Sequence, residues 1–193
     1  NDLDLLISGQ KRSDVYDPIT RIYRNDNGIF TNIYAGFDSN FVSPALWADF
    51  DNDGDLDVFA NYFINFNPYY SLHKNDNGTF TNQNMTLTSI FRGDAKAIDY
   101  DNDGDLDVIA CGKLYNGGDT VILFVNNHGT FTEVDPKMIG VRNSKLSIYD
   151  FDKDGDMDVA IAGTVNDGTF NYPLLQLYKN DNGVFTEVSI IKT

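Results

Sequence analysis

The residues with most chemistry in them are aspartates, and they come in groups. Asp49-Phe-Asp-Asn-Asp-Gly-Asp-Leu-Asp57 returns as Asp99-Tyr-Asp-Asn-Asp-Gly-Asp-Leu-Asp107 and again as Asp150-Phe-Asp-Lys-Asp-Gly-Asp-Met-Asp158. Each stretch puts five carboxylates into nine positions. Two carboxylates 4 Å apart repel by about 4 kcal/mol at an effective dielectric of 20. A fold that keeps this crowding three times calls for a cation. The 1, 3, 5, 9 spacing, with glycine at position 6, matches the opening geometry of an EF-hand calcium loop. Alternate positions turn their side chains to one centre, and the glycine permits the sharp reversal of the backbone. The expected side-chain ligands are Asp49, Asp51, Asp53 and Asp57, joined by the carbonyl of Asp55. The second loop offers Asp99, Asp101, Asp103 and Asp107 with the carbonyl of Asp105, and the third Asp150, Asp152, Asp154 and Asp158 with that of Asp156. An all-oxygen, flexible set suits Ca²⁺ better than Mg²⁺, which keeps its waters, or Zn²⁺, which takes His or Cys. Three Ca²⁺ sites are expected.

What must hold these loops is read from their surroundings. An EF-hand proper does not fit: Ala60, Ala110 and Ile161 stand where its bidentate glutamate would be, and the flanks read as strands. A short apolar run follows each loop, at Val58–Ala60, Val108–Ala110 and Val159–Ala162. A second motif keeps step with the first: Arg24-Asn-Asp-Asn-Gly-Ile-Phe-Thr31, Lys74-Asn-Asp-Asn-Gly-Thr-Phe-Thr81, Val125-Asn-Asn-His-Gly-Thr-Phe-Thr132 and Lys179-Asn-Asp-Asn-Gly-Val-Phe-Thr186. Its Asn-Gly pairs close tight hairpin turns, because both residues tolerate positive φ. Asp26, Asp76 and Asp181 are turn formers there rather than ligands. Two motifs sharing a period of about 50 residues mark a modular array. Each module reads as strand, Asp loop, strand, variable connection, strand, Asn-Gly turn, strand. Four antiparallel strands per repeat is the arithmetic of a β-propeller blade.

The expected fold is therefore all-β, one propeller fragment over 1–193 with approximate repeats at 1–40 (partial), 41–90, 91–140 and 141–193. Asn1 to Ile7 match the tail of the Asp motif from Gly54 onward, with Asp4 at position 9. The first repeat is thus a partial N-terminal blade, followed by three complete blades, within a larger propeller of about seven blades. Alone, Asp2 and Asp4 should not hold an ion well.

These residues and their setting resemble the FG-GAP/VCBS repeat family, known from the integrin α-subunit propeller and many secreted bacterial proteins. The resemblance rests on DxDxDGDxD before an apolar strand and on the Asn-Asp-Asn-Gly-x-Phe-Thr turn about 20 residues later. It implies a loop joining the first two strands of a blade and binding Ca²⁺. The literal Phe-Gly/Gly-Ala-Pro signature is missing, which places the closer likeness with the VCBS-like branch.

Composition narrows the function. The 193 residues carry 14 Lys+Arg against 29 Asp+Glu, a net charge of -15. That balance excludes nucleic acid, which needs Lys/Arg patches, and anionic lipid, which needs a polybasic segment. No apolar run approaches the 18 or so residues that span a bilayer. Only Glu133 and Glu187 of the acids are glutamates, so the charge is local to loops and turns rather than a diffuse surface feature. The single Cys111 excludes an intrachain disulfide and reads as a buried, unreactive thiol. His73 occupies a strand position and His128 a turn position, with no nucleophile motif beside either, so the chain is not expected to be an enzyme. The expected role is an extracellular or cell-surface, secreted module for protein binding and adhesion. The alternatives are a carbohydrate-binding, lectin-like propeller or accessory domain of a polysaccharide-acting enzyme, and a structural spacer. The variable, aromatic segment Asn61 to Tyr70 is weighed between ligand contact and packing, with packing favoured. Open blade edges invite self-association.

Overall fold

The computed structural model describes residues 2–10, 18–37, 44–64, 67–115, 117–166 and 168–188. Every regular element among them is a strand. Strands β1 (Leu5–Gln10), β2 (Pro18–Asp26) and β3 (Ile29–Asn32) form a three-stranded antiparallel sheet in chain order. Strands β4 (Leu46–Ala48), β5 (Asp57–Ile64), β6 (Asn67–Asp76) and β7 (Thr79–Asn82) form the next, with the two-residue β8 (Leu87–Thr88) pairing to Tyr69 and Tyr70 of β6. Two four-stranded antiparallel meanders follow. One is β9 (Ile90–Ile98), β10 (Asp107–Leu114), β11 (Asp119–Asn127) and β12 (Thr130–Val134). The other is β13 (Arg142–Tyr149), β14 (Asp158–Asn166), β15 (Asn171–Asp181) and β16 (Val184–Val188). Each Asp loop joins the first two strands of its sheet, and each Asn-Gly pair joins the last two, as the motifs predict.

Why the strands after the loops read as unbroken apolar runs is plain from their burial. Asp107 to Gly112 of β10 are all buried, so both faces of this strand are covered and no polar alternation is needed. By contrast β12 lies at the edge of its sheet and buries only Phe131.

Contacts gather the chain into two compact units, Asn1–Asp49 with Asp53–Ser89, and Phe50–Asn52 with Ile90–Thr193. In the first, Ile22, Val58 and Ala60 are buried under Leu6, Ile33, Trp47, Tyr69 and Phe80. In the second, Ile98, Ile109, Val121 and Leu123 of one meander share a core with Leu146, Val159, Ile161 and Tyr178 of the other. Burying each of the larger aliphatics contributes about 1.5–3 kcal/mol. Polar groups also join these two meanders: Asp94 accepts from the Leu146 amide at 3.2 Å, and the Cys111 thiol donates to Ser144 Oγ at 3.0 Å. Burial pushes that thiol's pKa up, in keeping with an inert cysteine.

The aromatic segment from Asn61 to Tyr70 is core where it is described. Tyr70 is fully buried and stacks on Phe59 with centroids 5.0 Å apart, and Asn61 donates to Ser89 Oγ. The side chains at 62–67 lie outside the described residues, as does the backbone at 65 and 66.

The loops and turns have the backbone their residues allow. In the four turns both central residues have positive φ: Asn27 and Gly28, Asn77 and Gly78, His128 and Gly129, Asn182 and Gly183. That is the pattern of a type I′ hairpin turn, whose twist suits the flanking strands. In the Asp loops position 4 is left-handed as well, with Asn52 at φ 60, Asn102 at 58 and Lys153 at 64. Asparagine enters this region more easily than lysine. Lys153→Asn is therefore expected to stabilise the chain by about 0.5 kcal/mol. The check is a thermal melt in chelator, where the midpoint should rise by about 1–2 °C.

Candidate metal centres

Each Asp loop is built around its first aspartate. Asp49 accepts the amides of Asp53 (3.1 Å) and Gly54 (3.0 Å), and Asp150 those of Asp154 (3.2 Å) and Gly155 (3.1 Å). Asp99 accepts the Gly104 amide at 3.2 Å. The position-6 glycines make this wrap possible, with φ of 96, 92 and 104 at Gly54, Gly104 and Gly155, where a side chain would be strained. The fifth-position carboxylates brace the next residue but one: Asp53, Asp103 and Asp154 accept the amides of Asp55, Asp105 and Asp156.

What remains pointing inward is a set of carboxylate oxygens. Asp49, Asp51 and Asp53 each offer one ligand atom, all within 4.8 Å of one another. The same holds for Asp99, Asp101 and Asp107, and for Asp150, Asp152 and Asp158. The second loop tests the fit to a cation most sharply. Asp99 Oδ1 and Asp101 Oδ1 are buried with no hydrogen-bond partner. Asp107, itself buried, has its carboxyl pushed up to about 6, chiefly by loss of solvent and further by the charges of Asp101 and Asp103. Amide bonds from Tyr100 and Asn126 act the other way. Burial and the same anions raise the Tyr100 phenol as well. Buried anionic oxygens that lack donors are expensive. Hard, oxygen-seeking cation chemistry matches them.

The remaining aspartates of the motif do a different job. Position 7 turns its side chain to the Asn-Gly turn of the same sheet. Asp55 accepts from the Asn77 amide (2.7 Å), Asp105 from His128 (2.9 Å) and Asp156 from Asn182 (2.7 Å). Only the main-chain carbonyl of these three stays on the expected ligand list. Position 9 is shared: Asp57, Asp107 and Asp158 each give Oδ1 to the amide of Asn75, Asn126 or Asn180 at 2.8 Å. In the two later loops Oδ2 also accepts from the position-2 amide, of Tyr100 or Phe151. The same asparagines then finish the weld, and Asn126 shows it best. Its side chain donates to the carbonyls of Leu106 and Phe50 and accepts the Gly129 amide.

The opening residues reproduce these bonds. Asp2 accepts from the Asn27 amide (2.6 Å) and Asp4 from that of Asn25 (2.9 Å), as positions 7 and 9 do elsewhere. Reading Asn1 to Ile7 as the tail of an Asp motif thus has a structural counterpart.

Two contacts were not evident from the motifs. Asn52, at position 4, donates to Asp105 Oδ1 at 2.6 Å, and Asn102 donates likewise to Asp156 Oδ1. Each position-7 carboxylate in the second unit therefore has both oxygens bound. The signal available in sequence is asparagine at position 4 in the first two loops and Lys153 in the third. Ring contacts follow the same path: Phe50 meets Phe131 edge-on at 5.4 Å, and a Cβ on Gly183 would lie 3.2 Å from the Tyr100 ring.

The family model for the FG-GAP-like repeat matches residues 99–161. That stretch of the chain is similar to an FG-GAP-like repeat. The match begins on the first aspartate of the second loop and ends at Ile161 in β14. It thus takes in two successive Asp loops of the FG-GAP-like repeat and the strands after them. No curated protein matches the chain.

Asn126→Ala strands two carbonyls and one amide at a site only 1% exposed. A loss of about 2–3 kcal/mol is expected. Urea denaturation in chelator measures it, and a change under 0.5 kcal/mol would contradict this role for the side chain.

Proposed function

We propose that this chain is part of an extracellular, calcium-stabilised β-propeller that works as a protein-binding and adhesion module. The observation that carries the proposal is the second loop, where Asp99 Oδ1 and Asp101 Oδ1 are buried without donors and Asp99, Asp101 and Asp107 each offer a ligand atom within 4.8 Å of the others. The FG-GAP-like match supports calcium as the cation and an extracellular setting, since such repeats often bind calcium in extracellular proteins. Sheets of four antiparallel strands repeating every 50 residues or so support the propeller, in which each sheet is one blade. Among the described residues no helix is long and apolar enough to cross a membrane.

Binding rather than catalysis is the activity proposed. His73 is buried against the Phe37 ring (4.7 Å), and His128 lies in a hairpin turn, 2.9 Å from Asp105. No nucleophile motif flanks either in the sequence. Asn61 and Tyr70 are committed to packing, and exposed aromatics are found at other described residues. Phe170, 70% exposed, lies in the connection between β14 and β15, and Tyr172, 44% exposed, is the second residue of β15, both next to the hydrogen-bonded pair Asn166 and Asn171. An exposed ring beside asparagine amides also suits a sugar face, which favours a glycan-binding propeller as the second reading.

A glycan array probed in CaCl₂ and in chelator separates the two. The protein-binding reading expects no saturable glycan signal. Specific binding lost in Phe170→Ala and Tyr172→Ala would overturn it in favour of the sugar.

A further inference from the structure

The three Asp loops differ in one neighbour. The residue that opens the Asn-Gly turn motif is Lys74 after the first loop, Val125 after the second and Lys179 after the third. Lys179, in β15, is held by its pairing with Thr186 and is half-buried. Its ammonium lies 2.5 Å from Asp152 Oδ2 and 2.9 Å from Asp154 Oδ2. Asp152 belongs to the inward trio with Asp150 and Asp158, and Asp154 is the fifth-position carboxylate of the same loop. Lys179 thus forms an ion pair with each of these two carboxylates. Lys153, at position 4, adds a second positive charge to this loop that neither other loop has.

The second loop is the contrast. Val125 brings no charge, and Asp99 Oδ1 and Asp101 Oδ1 are left without hydrogen-bond partners. We infer that Lys179 is a tethered cation competing for the third loop, so that calcium fills the second loop first and the third only at higher concentration. This rests on the calcium reading above and concerns the order in which the loops respond. For Asp152 and Asp154 to turn their oxygens to an ion, the lysine must withdraw, which its flexible four-carbon stem permits. Both ion pairs are partly solvated, so their combined effect is modest, about tenfold in apparent affinity. Staggered thresholds would let one array report two calcium levels rather than one.

Amide NMR of the full chain, titrated with CaCl₂, reads each loop through its own glycine, Gly104 for the second and Gly155 for the third. In the native protein Gly104 should respond at the lower concentration. Lys179→Met should lower the Gly155 midpoint about tenfold and leave Gly104 in place, whereas Lys179→Arg should keep the native order. The reciprocal change, Val125→Lys, should raise the Gly104 midpoint, and it decides the matter if Lys179→Met fails to fold. A calcium response at both glycines with midpoints that ignore these substitutions would overturn the competition while leaving calcium binding intact. No calcium response at either glycine would overturn the calcium reading, and the competition with it.

Discussion

Replacing Asp107 by alanine is expected to destabilise the metal-free chain by about 4 kcal/mol, since it leaves two buried amides without acceptors. Those amides belong to Tyr100 and Asn126, which donate to Oδ2 and Oδ1 at 3.0 and 2.8 Å. Asp107 is 1% exposed, so water cannot take its place. Asparagine at the same position is the informative comparison. It keeps one acceptor and loses the other, a cost of about 1–3 kcal/mol. It also removes a charge that burial and the neighbouring Asp101 and Asp103 disfavour, which offsets part of that cost. Both variants should lose the extra stability that calcium gives the second loop. Denaturation curves in chelator and in CaCl₂ separate the two roles. If Asp107→Asn gained as much from calcium as the native chain, Asp107 would be a structural acceptor and not a ligand.

The second large effect is chelation itself. A ligand bound only by the folded state adds RT ln(1 + [L]/Kd), or about 2.7 kcal/mol per site at a hundredfold excess over Kd. Extracellular calcium modules have Kd values of about 10⁻⁴ to 10⁻³ M, so about 10 mM CaCl₂ gives a 10- to 100-fold excess. For a chain of this size each kcal/mol moves the melting point by about 2–4 °C. One saturated loop should therefore raise the melt by about 3–10 °C, and further loops should add to it. The coupling has a visible route. Asp107 and Asp158 tie their loops to the asparagines of the Asn-Gly turns, so ordering a loop also orders the far end of its sheet. A calorimetric scan with MgCl₂ as control measures the shift, and equal melts in CaCl₂ and chelator would contradict it.

Much of this was legible because the motifs are local. Alternating aspartates with glycine at position 6 specify a loop whose backbone must curl inward, and Gly104 at φ 92 does so. Asn-Gly specifies a hairpin, and even His128, a poor substitute for asparagine, follows at φ 50. The partition of labour among the five aspartates was less legible. Composition cannot tell an aspartate that faces an ion from one that accepts an amide 20-odd residues away. Asp105 and Asp156 enter the expected ligand list only through their carbonyls, and what the chain does not reveal is that their side chains are fully engaged by Asn52, Asn102 and the turn amides. Such contacts pair residues from successive repeats, and a motif read one repeat at a time does not reveal them. The aromatic segment illustrates a different limit. Tyr70 resembles a ligand contact by type but is decided by the partner it stacks on, Phe59.

Calcium titration of the chelator-stripped chain by isothermal calorimetry tests the metal reading most directly. The expected result is saturable heat from CaCl₂, little from MgCl₂, up to three ions bound, and one fewer in Asp107→Asn. No saturable heat, together with no calcium by elemental analysis after dialysis against CaCl₂, would contradict it.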